Sequence, residues 1–85
     1  MSDSGYHSYL SLEAAAFVVA LPKRKQRVVI DLAGPLARQP FKIGDYTCVD
    51  ATGRRIENLL LENYLFSYWA DHAIREVRVT EIIRV

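Results

Sequence analysis

The hydrophobic repeat of this chain changes once, near Gln39-Pro40. Before that point the apolar residues follow helical spacing. After it they fall in short runs of β-prone residues separated by turn signals. One change of period within 85 residues implies a single small domain in which a helical segment covers a sheet, the α+β arrangement.

The helical part opens after an aromatic, alternating stretch, Tyr6 to Leu10, that reads as a short first strand behind a tail of residues 1–5. Ser11 has the side chain of an N-cap, able to accept an orphan helix N–H, and Glu13 suits the positive helix end. Leu12 to Leu21 is apolar on nearly every side, which predicts a helix buried all round. Pro22 marks a break or the first turn of a second helix. From Lys23, the recurrence of Val28, Val29, Leu32 and Leu36 traces one helical face. Gly34 and Pro35 interrupt it, so the expectation is a helix to about Leu32 and a short extra turn through Arg38.

The second part reads as four strands. Tyr46 to Val49 is followed by Asp50-Ala51-Thr52-Gly53, with Asp first and Gly last as in a type I turn. Arg55 to Leu61 and Leu65 to Ala70 flank Glu62-Asn63, a two-residue hairpin in which Asn tolerates positive φ. Val77 to Val85 is the last strand, with Val77, Val79, Ile83 and Val85 on one face and Arg78, Thr80 and Arg84 on the other. Glu81 and Ile82 break that alternation, which predicts burial on both sides or a bulge. Asp71 to Ile74 is left as the turn between the last two strands, and without a Gly it reads as a three- to five-residue loop.

Composition narrows the function classes. Half of the residues are hydrophobic (51%), enough for a core and too many for a disordered chain. Eleven Lys and Arg against ten Asp and Glu give a net charge of +1, so there is no global pull toward nucleic acid. Residues Lys23 to Arg27 form one local basic run, read as the solvated start of a helix or a contact patch. The single cysteine, Cys48, excludes an intrachain disulfide and reads as a small buried hydrophobe. The polar opening stretch has no signal-peptide core, and the longest apolar run, Ala14 to Leu21, is far short of the ~20 residues of a membrane span. The expectation is a cytoplasmic chain in a reducing compartment that binds no membrane.

The order strand, helix, helix, antiparallel strands resembles the RelE/ParE toxin superfamily of bacterial toxin–antitoxin and plasmid-stabilisation systems. "SLEAAAFVVALPKRKQRVVIDLAGPLARQP" is similar to the helical hairpin of those toxins. "FKIGDYTCVD" resembles the start of their sheet, and "NYLFSYWADHAIREVRVTEIIRV" their terminal hairpin. The resemblance implies a helical hairpin packed on a four- to five-stranded, mostly antiparallel sheet. It also implies one of two targets, ribosome-bound messenger RNA cleaved without a metal or cofactor, or DNA gyrase held by protein contact, and an antitoxin that wraps the toxin. A homodimer is a further expected assembly. The family's nucleases carry an Arg in the strand matched by "YLFSYW", which has none, and a Tyr or His after the last strand, where this sequence runs to Val85. The resemblance therefore points to a toxin or a catalytically degenerate relative acting by macromolecular contact. A non-enzymatic protein-binding module that uses the open sheet face or an edge is the alternative.

Candidate residues follow. Arg55, His72 and Arg84 are the side chains available for catalysis. Arg54, Arg55, Trp69, Arg75, Arg78, Arg84, Lys23 and Arg24 are those available for a partner or RNA, with Arg54, Arg55, Arg75, Arg78 and Arg84 placed on the open sheet face. Asp71-His72 looks like a catalytic pair, but adjacency alone does not supply the hydrogen-bond geometry that such a pair needs. A turn-tip or antitoxin-contact role fits His72 as well. Trp69 and Tyr68 alternate, so one ring is core and the other is free to anchor a partner. Two His and one Cys in separate segments give no metal-ligand spacing, and the scattered glycines form no phosphate loop.

Overall fold

The computed structural model describes residues 5–85. The expected tail, residues 1–5, lies outside the described residues except for Gly5, whose φ of 77° is ordinary for glycine. Strand β1 (His7–Leu10) is followed by helices α1 (Leu12–Val19) and α2 (Lys23–Arg38). Strands β2 (Tyr46–Val49), β3 (Arg55–Leu61), β4 (Tyr64–Asp71) and β5 (Glu76–Arg84) complete the chain. The sheet order is β1-β5-β4-β3-β2. β1 runs parallel to β5, and every other pair is antiparallel.

Both helices lie on one face. There Ala14, Val18, Val29, Ala33 and Leu36 pack with Leu59, Tyr64, Phe66, Tyr68, Val77, Val79 and Ile82. Phe17 meets Tyr64 edge-on with ring centroids 6.1 Å apart. Ser11 ties the two halves together. Its Oγ accepts from Ala14 N–H at 3.1 Å as the N-cap of α1 and donates to the Thr80 carbonyl at 2.7 Å. Its own N–H donates to the Val79 carbonyl.

Five expectations need correction. Helix α1 is not buried all round: it buries Ala14 and Val18 against the sheet, with Phe17 partly buried beside them, and leaves Leu12 and Val19 88% and 74% exposed. Eight residues lying across β5 can bury one stripe only. Helix α2 does not stop near Leu32. It runs unbroken through Pro35 to Arg38, because the buried stripe Val29, Ala33, Leu36 and Ala37 carries packing past the one hydrogen bond that proline forfeits. In β5 the ladder shifts register, Ser67 pairing with Glu81 and Tyr68 with Val79, so Thr80 is the extra residue of a bulge. The bulge turns Ile82 into the core and leaves Ile83 and Val85 exposed, where strict alternation placed them inside. Cys48 is exposed rather than buried, because β2 is an edge strand paired only with β3. In the Glu62-Asn63 turn the left-handed residue is Glu62, with φ 55°.

The other turns follow their sequences. Gly53 N–H closes the 50–53 turn onto the Asp50 carbonyl at 3.0 Å, with Gly53 at φ 84°. The Asp71 carboxylate accepts from Ala73 N–H, two residues on, at 3.1 Å. Among the described residues no helix is long and apolar enough to cross a membrane.

Candidate functional site

The face of the sheet away from the helices carries a row of side chains that the pairing dictates. Residues directly opposite one another in adjacent strands share a face. Tyr9 stands opposite Arg78, and Arg78 opposite Trp69. The Arg78 guanidinium lies 4.3 Å from the Tyr9 ring centroid and 5.9 Å from that of Trp69. On the far side of Trp69, the Arg54 guanidinium sits 3.9 Å over the ring. The result is a four-membered ladder, Tyr9–Arg78–Trp69–Arg54, held by cation–π attraction.

Each arginine in this region already has a carboxylate. Arg78 bonds Glu76 at 2.6 Å, Arg54 reaches Asp50 at 3.6 Å, and Arg55 bonds Glu57 at 3.1 Å. The Asp50 carboxyl is held below its ordinary value chiefly by the Thr52 hydroxyl, with the Arg54 amide next. Partial burial pushes the Glu57 carboxyl up, but bonds from Gly44 N–H, the Thr47 hydroxyl and Arg55 outweigh this and hold it below its ordinary value. The cationic groups thus come with matched anions.

A cleft opens where β3 and β4 part. They pair only from Glu57–Tyr68 onward, so Arg55 at one strand's start and Trp69 to Asp71 at the other's end diverge. The space, about 550 Å³, is lined by Phe41, Arg54, Arg55, Tyr68, Trp69 and His72 among others. His72 stacks on Phe41 (centroids 4.7 Å apart, planes at 12°), and its Nδ1 is 2.6 Å from the Tyr6 hydroxyl. Asp71 serves the turn, so the Asp-His string acts as two separate contacts. Tyr68 donates to the Lys42 carbonyl at 3.1 Å, and its phenol is pushed up to about 12 by burial, with the Glu57 and Asp45 carboxylates adding to the shift. It is a fixed donor, not a base, at neutral pH.

The expected site residues therefore separate. Arg54, Trp69 and Arg78 meet on the open face. Arg55 pairs beside Glu57 and Tyr68 on the helix-side face of the sheet, at the cleft. Arg75 lies in the last turn at φ 55°, its carbonyl accepting from His7 N–H at 3.0 Å. Arg84 stands opposite Tyr64, a core residue, so the bulge has moved it off the open face. Lys23 and Arg24 begin α2, and Arg24 lies beside the Glu62-Asn63 turn, at the other end of β4 from His72.

No protein-family model matches the chain, and no curated protein matches it in sequence. Among solved structures, a chain of the RelBE2 toxin–antitoxin complex from Mycobacterium tuberculosis superposes with a TM-score of 0.76 at 20% identity. The match covers 94% of this chain and 98% of that one. This chain has the fold of that chain of the complex. Within this fold two contributors escaped the sequence. Tyr9 joins the ladder only through the parallel β1–β5 pairing, which links residues some 70 positions apart and leaves no local signal. Phe41 sits in a connecting segment without periodicity. Its neighbours Pro40 and Gly44 mark the segment as irregular, which is the only cue available.

Proposed function

We propose that this chain is a toxin-type component that acts by binding a protein surface and is held by an antitoxin-like partner. The observation that carries the reading is the ladder Tyr9–Arg78–Trp69–Arg54 on an open sheet face, in a fold shared with a chain of a toxin–antitoxin complex. Tyr, Trp and Arg are the side chains that dominate protein–protein hot spots. Matched carboxylates favour a protein contact over a phosphate backbone, since a phosphate would have to displace Glu76 and Asp50 from their arginines. The raised Tyr68 phenol does not supply a general base beside Arg55, which supports contact over cleavage of messenger RNA.

Inducible expression in bacteria tests this. Growth should stop while messenger RNA stays intact, and co-expression of the product of a neighbouring reading frame should restore growth. Trp69→Ala and Arg78→Ala should each relieve growth arrest with the fold retained by circular dichroism. Cleaved messenger RNA would favour the RelE-like nuclease reading, and a gyrase-dependent arrest would identify that target. The second reading is a non-toxic binding module, favoured by the exposed edge strand β2. Unimpaired growth together with a stable co-purifying protein would select it.

A further inference from the structure

Strand β2 ends the sheet, and the alternation of its ladder fixes what it offers. Val49 pairs with Arg55 and Asp50 N–H donates to the Arg54 carbonyl at 2.9 Å. The bonded positions are thus Cys48 and Asp50, and the N–H and C=O groups of Thr47 and Val49 point away from β3. This edge is short, but its side chains do not block pairing. Residues Tyr46–Val49 contain no charge and no proline, and all four are exposed. On it stand Tyr46 and Val49, which are 53% and 67% exposed. The other edge, β1, is overlaid by α2 and is preceded by residues outside the description, so it carries no such argument.

We propose that β2 pairs antiparallel with β2 of a second copy of this chain, joining two five-stranded sheets into one. The occupant follows from self-complementarity. The register that uses both outward residues of both copies sets Thr47 opposite Val49 of the partner and Val49 opposite Thr47 of the partner, with the two-fold axis through Cys48. An uncharged strand meets its own copy without like-charge repulsion across the ladder, and Tyr46 and Val49 recur on both sides of the seam. Cys48 then faces its own copy in a non-hydrogen-bonded pair, the class with side chains closest, at a Cα separation of about 4.5 Å. That separation lies at the short end of the disulfide range, so the thiol is a reporter of the register. The inference is independent of the toxin reading: either stands if the other fails.

The test uses the full chain. Sedimentation at micromolar concentration should show a dimer, and mild oxidation by diamide should trap it through Cys48. In that step two thiols lose two electrons and two protons to the diazene. Cys48→Ser should abolish trapping and leave the dimer. Val49→Pro removes an N–H that points to solvent in the monomer, a position where edge strands tolerate proline. It should weaken dimerisation at least ~30-fold with the circular dichroism and melting cooperativity of the monomer kept. Should Val49→Pro fail to fold, Val49→Lys puts a charge at the seam and is read in the same way. A wild-type monomer with no trapped species overturns the proposal, as does a dimer that survives both variants. Protection of the Thr47 and Val49 amides only when another protein is added would also overturn it, by assigning the edge to a different partner.

Discussion

Gly44 and Gly34 show opposite reasons for a glycine. A Cβ on Gly44 would lie 2.5 Å from the Asn58 carbonyl oxygen and 2.7 Å from Asn58 C and N. These are backbone atoms in the middle of β3 and cannot step aside. The close approach lets Gly44 N–H reach Glu57 Oε1 at 2.9 Å and Asp45 N–H reach the Asn58 carbonyl at 2.7 Å. Gly44→Ala should therefore destabilise the protein by about 1–3 kcal/mol, as overpacking does, and lower the melting midpoint by roughly 5–20 °C. At Gly34, inside α2, an added Cβ meets nothing within 4 Å. Gly34→Ala should raise stability by about 0.5–1 kcal/mol, through lower unfolded-state entropy and better helix propensity. Thermal melts of the two variants check both signs. Sequence alone marks Gly34 as an interruption of a helical face and gives Gly44 no particular weight. Only the crossing of the 42–45 segment over Asn58 separates the required one from the tolerated one.

At the scale of elements, Glu57 organises the β2–β3 corner. Its carboxylate accepts from Gly44 N–H, Thr47 Oγ1 and Arg55 Nε, which is why it stays ionised below its ordinary value near 4.5. A carboxyl lowered in the folded state contributes stability that is complete above the ordinary value and is lost as pH falls from there through the folded value. Acid should thus loosen this corner, read as earlier hydrogen exchange of the Gly44 amide. Glu57→Gln should flatten that dependence, leaving a smaller slope from Asp50, which is lowered in the same sense. The bounds of β2 and β3 and the 50–53 turn were legible in the sequence, because alternation and turn chemistry are local. The Glu57 corner was not, since it depends on a connecting segment with no period. The bulge at Thr80 was only half legible: Glu81 and Ile82 announced a break in alternation, but its position comes from pairing with Ser67 and Tyr68. That one-residue shift moves Arg84 away from Arg78, so the expected arginine face shrank to Arg54 and Arg78 and gained Tyr9.

For the whole molecule, charge decides how a partner is held. Net charge is +1, and Arg54, Arg55 and Arg78 each have a carboxylate within 3.6 Å. A surface so balanced releases few counterions on binding. A protein that neutralises 6–10 phosphates loses about 10³–10⁵ in affinity between 50 and 200 mM salt. This chain has two ladder arginines that would first have to exchange Glu76 and Asp50 for phosphate. Its affinity for its partner should therefore fall by less than about tenfold over the same range. Trp69 is the sole tryptophan and sits between Arg54 and Arg78, so its fluorescence reports occupation of the ladder directly. Titrations at several salt concentrations give the slope. A slope near that of one or two ion pairs fits a protein surface gripped by aromatic and guanidinium planes. A slope of six or more would mean that the arginines abandon their carboxylates for a nucleic-acid backbone, and the protein-contact reading would fall with it.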